Sequence, residues 1–139
     1  MIYLDTGAFV ARYIQRDQYH RQALKGWELL ANSGQRCATS NFVLNETFTL
    51  LARRAGYHFA AQRARHILSS AILTIWRSGE EEEHAAVELL EKYADQQVSF
   101  TDCVSFVLMR KHSLTDAFSF DSHFERAGFR LWAPSRTED

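Results

Sequence analysis

The sequence predicts an α/β fold of three layers, α/β/α, with a central, mostly parallel five-stranded sheet and a helical hairpin arm. Short β-prone runs alternate with stretches whose apolar residues recur at helical spacing, which implies right-handed strand–helix–strand crossovers. The chain has 139 residues, 46% apolar and 24% charged, the balance of one globular domain and not of a disordered or fibrous chain. A domain of this size buries roughly two thirds of its unfolded surface, so it needs no disulfide or structural metal to fold.

Ile2-Tyr3-Leu4 is the first strand, broken by Asp5-Thr6-Gly7 and followed by a helical pattern through Phe9, Val10 and Tyr13. Ala23, Leu24, Trp27, Leu30 and Ala31 mark a helix that stops at Asn32-Ser33-Gly34, a C-cap signal. Arg36 to Thr39 reads as the second strand. Ser40 or Asn41 caps the next helix, through Val43, Leu44, Phe48, Leu50 and Leu51 to Gly56. A basic helix from Phe59 to Leu68 completes the hairpin. Ile72 to Trp76 reads as a buried strand.

Glu80 to Glu83 open a helix whose apolar face is Ala86, Leu89, Leu90, Tyr93 and Ala94. The four glutamates resemble an acid cluster, but the helix dipole favours carboxylates in a first turn, and the solvated reading is preferred. Ser99-Phe100-Thr101-Asp102 fits a capping box ahead of an apolar helix from Cys103 to Met109. Ala117 to Phe120 reads as the fourth strand, Ser122 to Ala127 as a short helix and Phe129 to Trp132 as the fifth strand. Residues 1–133 are expected to form a single domain, with 134–139 a polar tail.

Net charge is −1, so bulk electrostatics favours neither nucleic acid nor membrane. The charge is unevenly placed, however. Thr47 to Gly79 contains no acid and five arginines, Arg53, Arg54, Arg63, Arg65 and Arg77, so the acidic excess falls on the rest of the chain. Cys37 and Cys103 sit in no metal-binding spacing and read as reduced, buried thiols of a cytoplasmic protein. No basic-apolar leader with a cleavage site opens the chain, and no stretch is apolar for long enough to span a membrane.

Ligands bind outside the carboxyl ends of the strands in open α/β sheets. Asp5 follows the first strand, Asp121 follows the fourth, Asp102 lies in the first turn of a helix that starts at the same edge, and Glu46 lies about a turn and a half into the helix after the second strand. Each has an innocent reading: Asp5 bonding turn amides, Asp102 completing a capping box, Asp121 forming an Asx turn, Glu46 exposed. Together at one rim they repel one another, so some must protonate or a cation must bind. Oxygen donors without His or Cys favour Mg²⁺ or Mn²⁺ over zinc. Such an ion binds phosphate oxygens and acidifies water, the chemistry of phosphodiester hydrolysis.

Competing chemistries lack their cradles: there is no G-x-S-x-G, no G-x-x-x-x-G-K-[ST] and no G-x-G-x-x-G. His123 is close enough to Asp121 to orient water or substrate, but a packing or surface role is preferred. The Ser119 hydroxyl has two readings of equal standing, binding phosphate or capping the neighbouring loop. Arg53, Arg54, Arg63 and Arg65 read as contacts to a phosphate backbone. Tyr57 and Phe59, between them, could stack bases, but packing is preferred.

These residues resemble the PIN-domain nucleases, and within them the VapC-type toxins of prokaryotic toxin–antitoxin pairs. The likeness covers nearly the whole chain and rests on Ile2-Tyr3-Leu4-Asp5-Thr6, Val43-Leu44-Asn45-Glu46-Thr47, Ser99-Phe100-Thr101-Asp102 and Phe118-Ser119-Phe120-Asp121-Ser122-His123-Phe124. The resemblance implies an acidic pocket of Asp5, Glu46, Asp102 and Asp121, with Asp5, Asp102 and Asp121 as ligands of Mg²⁺ or Mn²⁺. It implies supporting hydroxyls at Thr6 and Ser119, while Gly7 replaces a common Ser. It also implies a homodimer, an RNA substrate and a small antitoxin protein as partner. The expectation is therefore a metal-dependent endoribonuclease. Two alternatives stand beside it: a nuclease of this fold acting in RNA processing or on DNA, and a catalytically silent RNA- or protein-binding module.

Overall fold

The structure, a computed structural model, describes residues 1–132, so the expected boundary at 133 and the polar tail over 134–139 lie outside the described residues. Five strands form one parallel sheet: β1 (Ile2–Leu4), β2 (Cys37–Ser40), β3 (Leu73–Trp76), β4 (Asp116–Phe118) and β5 (Arg130–Leu131). Between them run α1 (Thr6–Tyr13), α2 (His20–Ser33), α3 (Asn41–Ala55), α4 (Tyr57–Leu68), α5 (Glu80–Lys92), a 3₁₀ turn (Ala94–Gln96), α6 (Phe100–Lys111) and α7 (His123–Arg126). The strand order is β3-β2-β1-β4-β5. Tyr3 is the hinge of the register, paired with Ala38 on one side and Ala117 on the other.

That order decides where a ligand can sit. The chain builds outward from β1 through β2 to β3, then crosses back to lay β4 on the other side of β1. Right-handed crossovers running in opposite directions place their helices on opposite faces. Accordingly α1, α2, α3 and α4 pack among themselves, and α5 packs on α6. The reversal opens a crevice at the carboxyl ends of β1 and β4, the position at which open α/β sheets bind ligands.

Local sequence signals hold at the helix ends. Gly34 ends α2 at φ +66°, a conformation that costs a residue with a Cβ more than glycine. Ser40 caps α3, its Oγ accepting from the Val43 N–H at 3.1 Å. Gly26 permits a closer approach still: a Cβ there would lie 2.4 Å from Cζ of Phe118, so only glycine lets α2 settle onto β4. The hairpin α3–α4 is anchored to α1 by a small separate core of Val10, Ile14, Leu51 and Ala60. Glu82 in the first turn of α5 accepts from the Gly79 N–H and pairs with Lys111 Nζ at 3.2 Å, while Glu80 and Glu81 are exposed.

Three sequence expectations need correction. β3 is an edge strand with half-buried residues, not a buried one, and Ile72 stands outside it, largely exposed. An unbroken apolar run does not distinguish an edge from a centre, because that depends on what covers the strand. β4 ends at Phe118 instead of Phe120, since Ser119 leaves the ladder to bond elsewhere. α4 begins at Tyr57, two residues earlier than the pattern marks.

Candidate active site

Asp5 leaves β1 with its N–H bonded to the Phe118 carbonyl of β4 at 3.1 Å, so its place is set by the sheet. Beyond the end of the neighbouring strand β4 the chain passes through Ser119 and Asp121. The Ser119 Oγ donates to Asp5 Oδ2 at 2.7 Å and accepts from the Asp121 N–H at 3.0 Å, tying the ends of β1 and β4 together. The loop-capping reading of Ser119 is the observed one. Asp121 forms the Asx turn, its Oδ1 accepting from the His123 N–H at 2.9 Å, and still borders the cavity. Ser99 caps α6 by accepting from the Asp102 N–H at 3.1 Å, but the Asp102 carboxylate lines the cavity and does not complete a capping box. Glu46, half-buried on α3, lines the same cavity. All four acids meet in one crevice of about 460 Å³.

Burial makes their charge costly. Asp5 and Asp102 are only 5% and 7% exposed. Desolvation pushes the Asp102 carboxyl up to about 9, and Asp5, Asp121 and Glu46 add to the rise through like charge. Asp5 is pushed up to about 6, again by burial first, with the Ser119 hydroxyl and the Thr6 backbone N–H holding it back. Burial and like charge therefore favour the protonated form of Asp102 in the free protein.

His123 lies beside two of the acids. Its Nδ1 lies 3.2 Å from Asp121 Oδ1 and 3.6 Å from Asp102 Oδ2, yet makes no hydrogen bond. One ligand atom from each of Asp102, Asp121 and His123 falls within 4.8 Å of the others, a span that two bonds of about 2.1 Å nearly cover. The donor set fits a divalent ion: carboxylates that repel one another, and a ring nitrogen close to two of them that makes no hydrogen bond. A ring nitrogen thus stands beside the oxygen donors that the sequence pointed to. The only signal in the sequence was the two-residue spacing from Asp121, which puts the ring on the rim the Asx turn shapes.

Thr6 lines the cavity as well, with its hydroxyl buried and unbonded. The four arginines do not reach the cavity. Arg53, Arg54 and Arg65 are exposed on the hairpin. Arg63 folds back onto α1, its guanidinium 5.5 Å from the Tyr13 ring and 5.0 Å from Phe59. Phe59 thus packs on Tyr13, while Tyr57 is exposed. Among the described residues both cysteines are free and buried, and no helix is long and apolar enough to cross a membrane.

Comparison with known proteins places this geometry. The chain is 37% identical over 129 residues to the 23S rRNA-specific endonuclease VapC20 of Mycobacterium tuberculosis, covering 93% of this chain and 95% of the relative. Its fold superposes on the crystal structure of M. tuberculosis VapC20, described as a Sarcin-Ricin loop cleaving toxin, with a TM-score of 0.86, 33% identity and coverage of 96% and 100%. VapBC2 from Rickettsia felis, solved with a DNA fragment from its promoter, shares the fold at a TM-score of 0.69 and 18% identity, over 95% and 98% of the chains. The family description "PIN domain" matches residues 2–130, which span every strand that contributes an acid to the crevice, and this chain belongs to the PIN domain family.

Proposed function

We propose that this protein is an endoribonuclease dependent on Mg²⁺ or Mn²⁺, and the toxin of a toxin–antitoxin pair acting in the cytoplasm. The observation that carries the reading is the convergence of Asp5, Glu46, Asp102 and Asp121 at the reversal point of the sheet, in a chain 37% identical to an rRNA endonuclease. A polyanion binder gains nothing from a negative crevice, which weighs against the silent-module alternative. The partners that go with this reading are an RNA substrate, a small antitoxin protein and a second copy of this chain.

Asp5, Asp102 and Asp121 would hold the ion, with Glu46 completing the negative wall and His123 adding a nitrogen donor at its edge. A bound divalent ion supplies charge neutralisation on phosphoryl oxygens and makes water a better nucleophile. The protein's own part is orientation. Ser119 fixes the Asp5 carboxylate and, through the Asp121 N–H, sets the spacing of the two acids. The deep placement of Asp5 and Asp102 keeps bulk water from screening their field. Exposed Arg53, Arg54 and Arg65 would draw in the phosphate backbone, while Arg63 supports the hairpin from within and contributes less.

The test is cleavage of total RNA and of DNA by the parent and by Asp5→Asn, with Mg²⁺, with Mn²⁺ and with EDTA. The parent is expected to cut RNA only when metal is present, and Asp5→Asn to lose that activity while remaining folded. Equal cleavage by the two proteins, or cutting that survives EDTA, would contradict the reading; preference for DNA would move it to the alternative substrate.

A further inference from the structure

Beside the four converging acids, the wall of the crevice carries residues of a different chemistry. Tyr19, at the start of α2, and Phe120, between Ser119 and Asp121, stack with ring centroids 4.5 Å apart and planes 3° from parallel. Both line the cavity, and neither is buried in the core. The pair is held rigidly. Phe120 sits between the two residues whose hydrogen bonds join β1 to β4, and its ring meets Phe118 edge-on at 5.9 Å. The Tyr19 N–H donates to Asp17 Oδ1 at 2.8 Å, fixing the start of its helix.

Two glutamines line the same space, Gln18 and Gln97, both exposed. Gln97 stands at φ +54°, a left-handed conformation that costs a non-glycine residue energy and that persists where its surroundings impose it. The cavity, at about 460 Å³, lies within the roughly 300–1,000 Å³ of small-molecule sites and exceeds what one ion and its waters would fill.

We infer that this wall is a nucleobase subsite: a base next to the scissile phosphate stacks on the Tyr19–Phe120 pair, and the Gln18 and Gln97 carboxamides meet its polar edge. A purine or pyrimidine face suits the aromatic pair, and a carboxamide both donates and accepts, as base edges require. Stacking also supplies affinity that salt does not screen, which matters beside a wall of carboxylates that repels phosphate. The inference rests on the ribonuclease reading, but its test does not depend on cleavage.

The probe is a uridine hexaribonucleotide with a central 2-aminopurine, whose fluorescence falls when it stacks. It is titrated into Asp5→Asn protein with Mn²⁺, so that the strand stays intact. Saturable quenching is expected, weakened about tenfold by adding Tyr19→Leu, the loss that one stacked base accounts for, and retained with Tyr19→Phe. In the parent background, Tyr19→Leu is expected to raise KM on RNA far more than it lowers kcat. No saturable quenching, or quenching equal in Tyr19→Leu and Tyr19→Phe, would overturn the subsite. If the base stacks but the parent cuts no RNA, the subsite stands and the nuclease reading falls.

Discussion

Ser119 Oγ and Asp5 Oδ2 lie 2.7 Å apart, joining residues at the ends of adjacent strands and separated by more than a hundred positions in the chain. The same hydroxyl accepts from the Asp121 N–H, so one oxygen sets the distance between two acids of the crevice. Ser119→Ala removes the side-chain donor to Asp5 and the hydroxyl that anchors the Asp121 N–H. Divalent-metal affinity and kcat are each expected to fall about tenfold or more, the usual size of losing a group that orients a ligand. Ser119→Thr keeps the hydroxyl and should retain most activity. Calorimetry with Mn²⁺ and steady-state cleavage rates check both.

The buried acids make metal-free stability depend on pH in a defined direction. The Asp5 and Asp102 carboxyls rise to about 6 and about 9 on folding, so between about pH 4 and pH 9 the folded state holds more protons than the unfolded one. Their contribution is most favourable below the unfolded value and is lost as pH climbs through the folded ones. In EDTA, Tm is expected to fall by about 5 °C or more from pH 5 to pH 8. Mn²⁺ should flatten that slope, because it favours the ionised acids, and Asp102→Asn should flatten it without metal. Thermal unfolding followed by circular dichroism reads all three.

His123 brings an unbonded ring nitrogen to the acid cluster. A nitrogen donor favours Mn²⁺ over Mg²⁺ relative to an all-oxygen site. Pulsed EPR of the Mn²⁺ complex is expected to show coupling to a ¹⁴N nucleus, absent in His123→Gln, and that substitution should narrow the preference for Mn²⁺. Identical spectra for the two proteins would remove His123 from the ligand set.

Gly26→Ala tests how the fold positions the site. The added methyl would meet the Phe118 ring at 2.4 Å, and that ring is fully buried against Trp27, Phe120 and Trp132. Overpacking of this kind costs about 1–3 kcal/mol, or a Tm loss of several degrees. Because Phe118 precedes Ser119, activity should fall more than the stability loss alone explains. Unchanged Tm would show that α2 moves aside freely.

What the sequence makes legible is whatever local pattern encodes. The alternation of strands with helices, the caps at Ser40 and Ser99, and the placement of Asp5, Asp102 and Asp121 at strand or helix ends all follow from residues within a few positions of one another. What escaped depends on contacts between distant segments. Tyr19 meets Phe120 across about a hundred residues, and Arg63 turns inward onto Tyr13 although its neighbours in sequence mark it as one more surface arginine. β3 reads as buried by composition, and only the strand order reveals it as an edge. His123 joined the acids through the turn that Asp121 makes, a geometry that spacing suggests and does not determine.

The most direct test of the account is the count of protons released when the metal-free protein takes up Mn²⁺ at pH 7.5, measured by titration calorimetry in buffers of differing ionisation enthalpy. The raised Asp102 carboxyl predicts saturable binding with close to one proton released per ion, and far less in Asp102→Asn. Saturable binding with no proton release, or no binding at all, would contradict the claim that the gathered carboxylates form a site for a divalent ion.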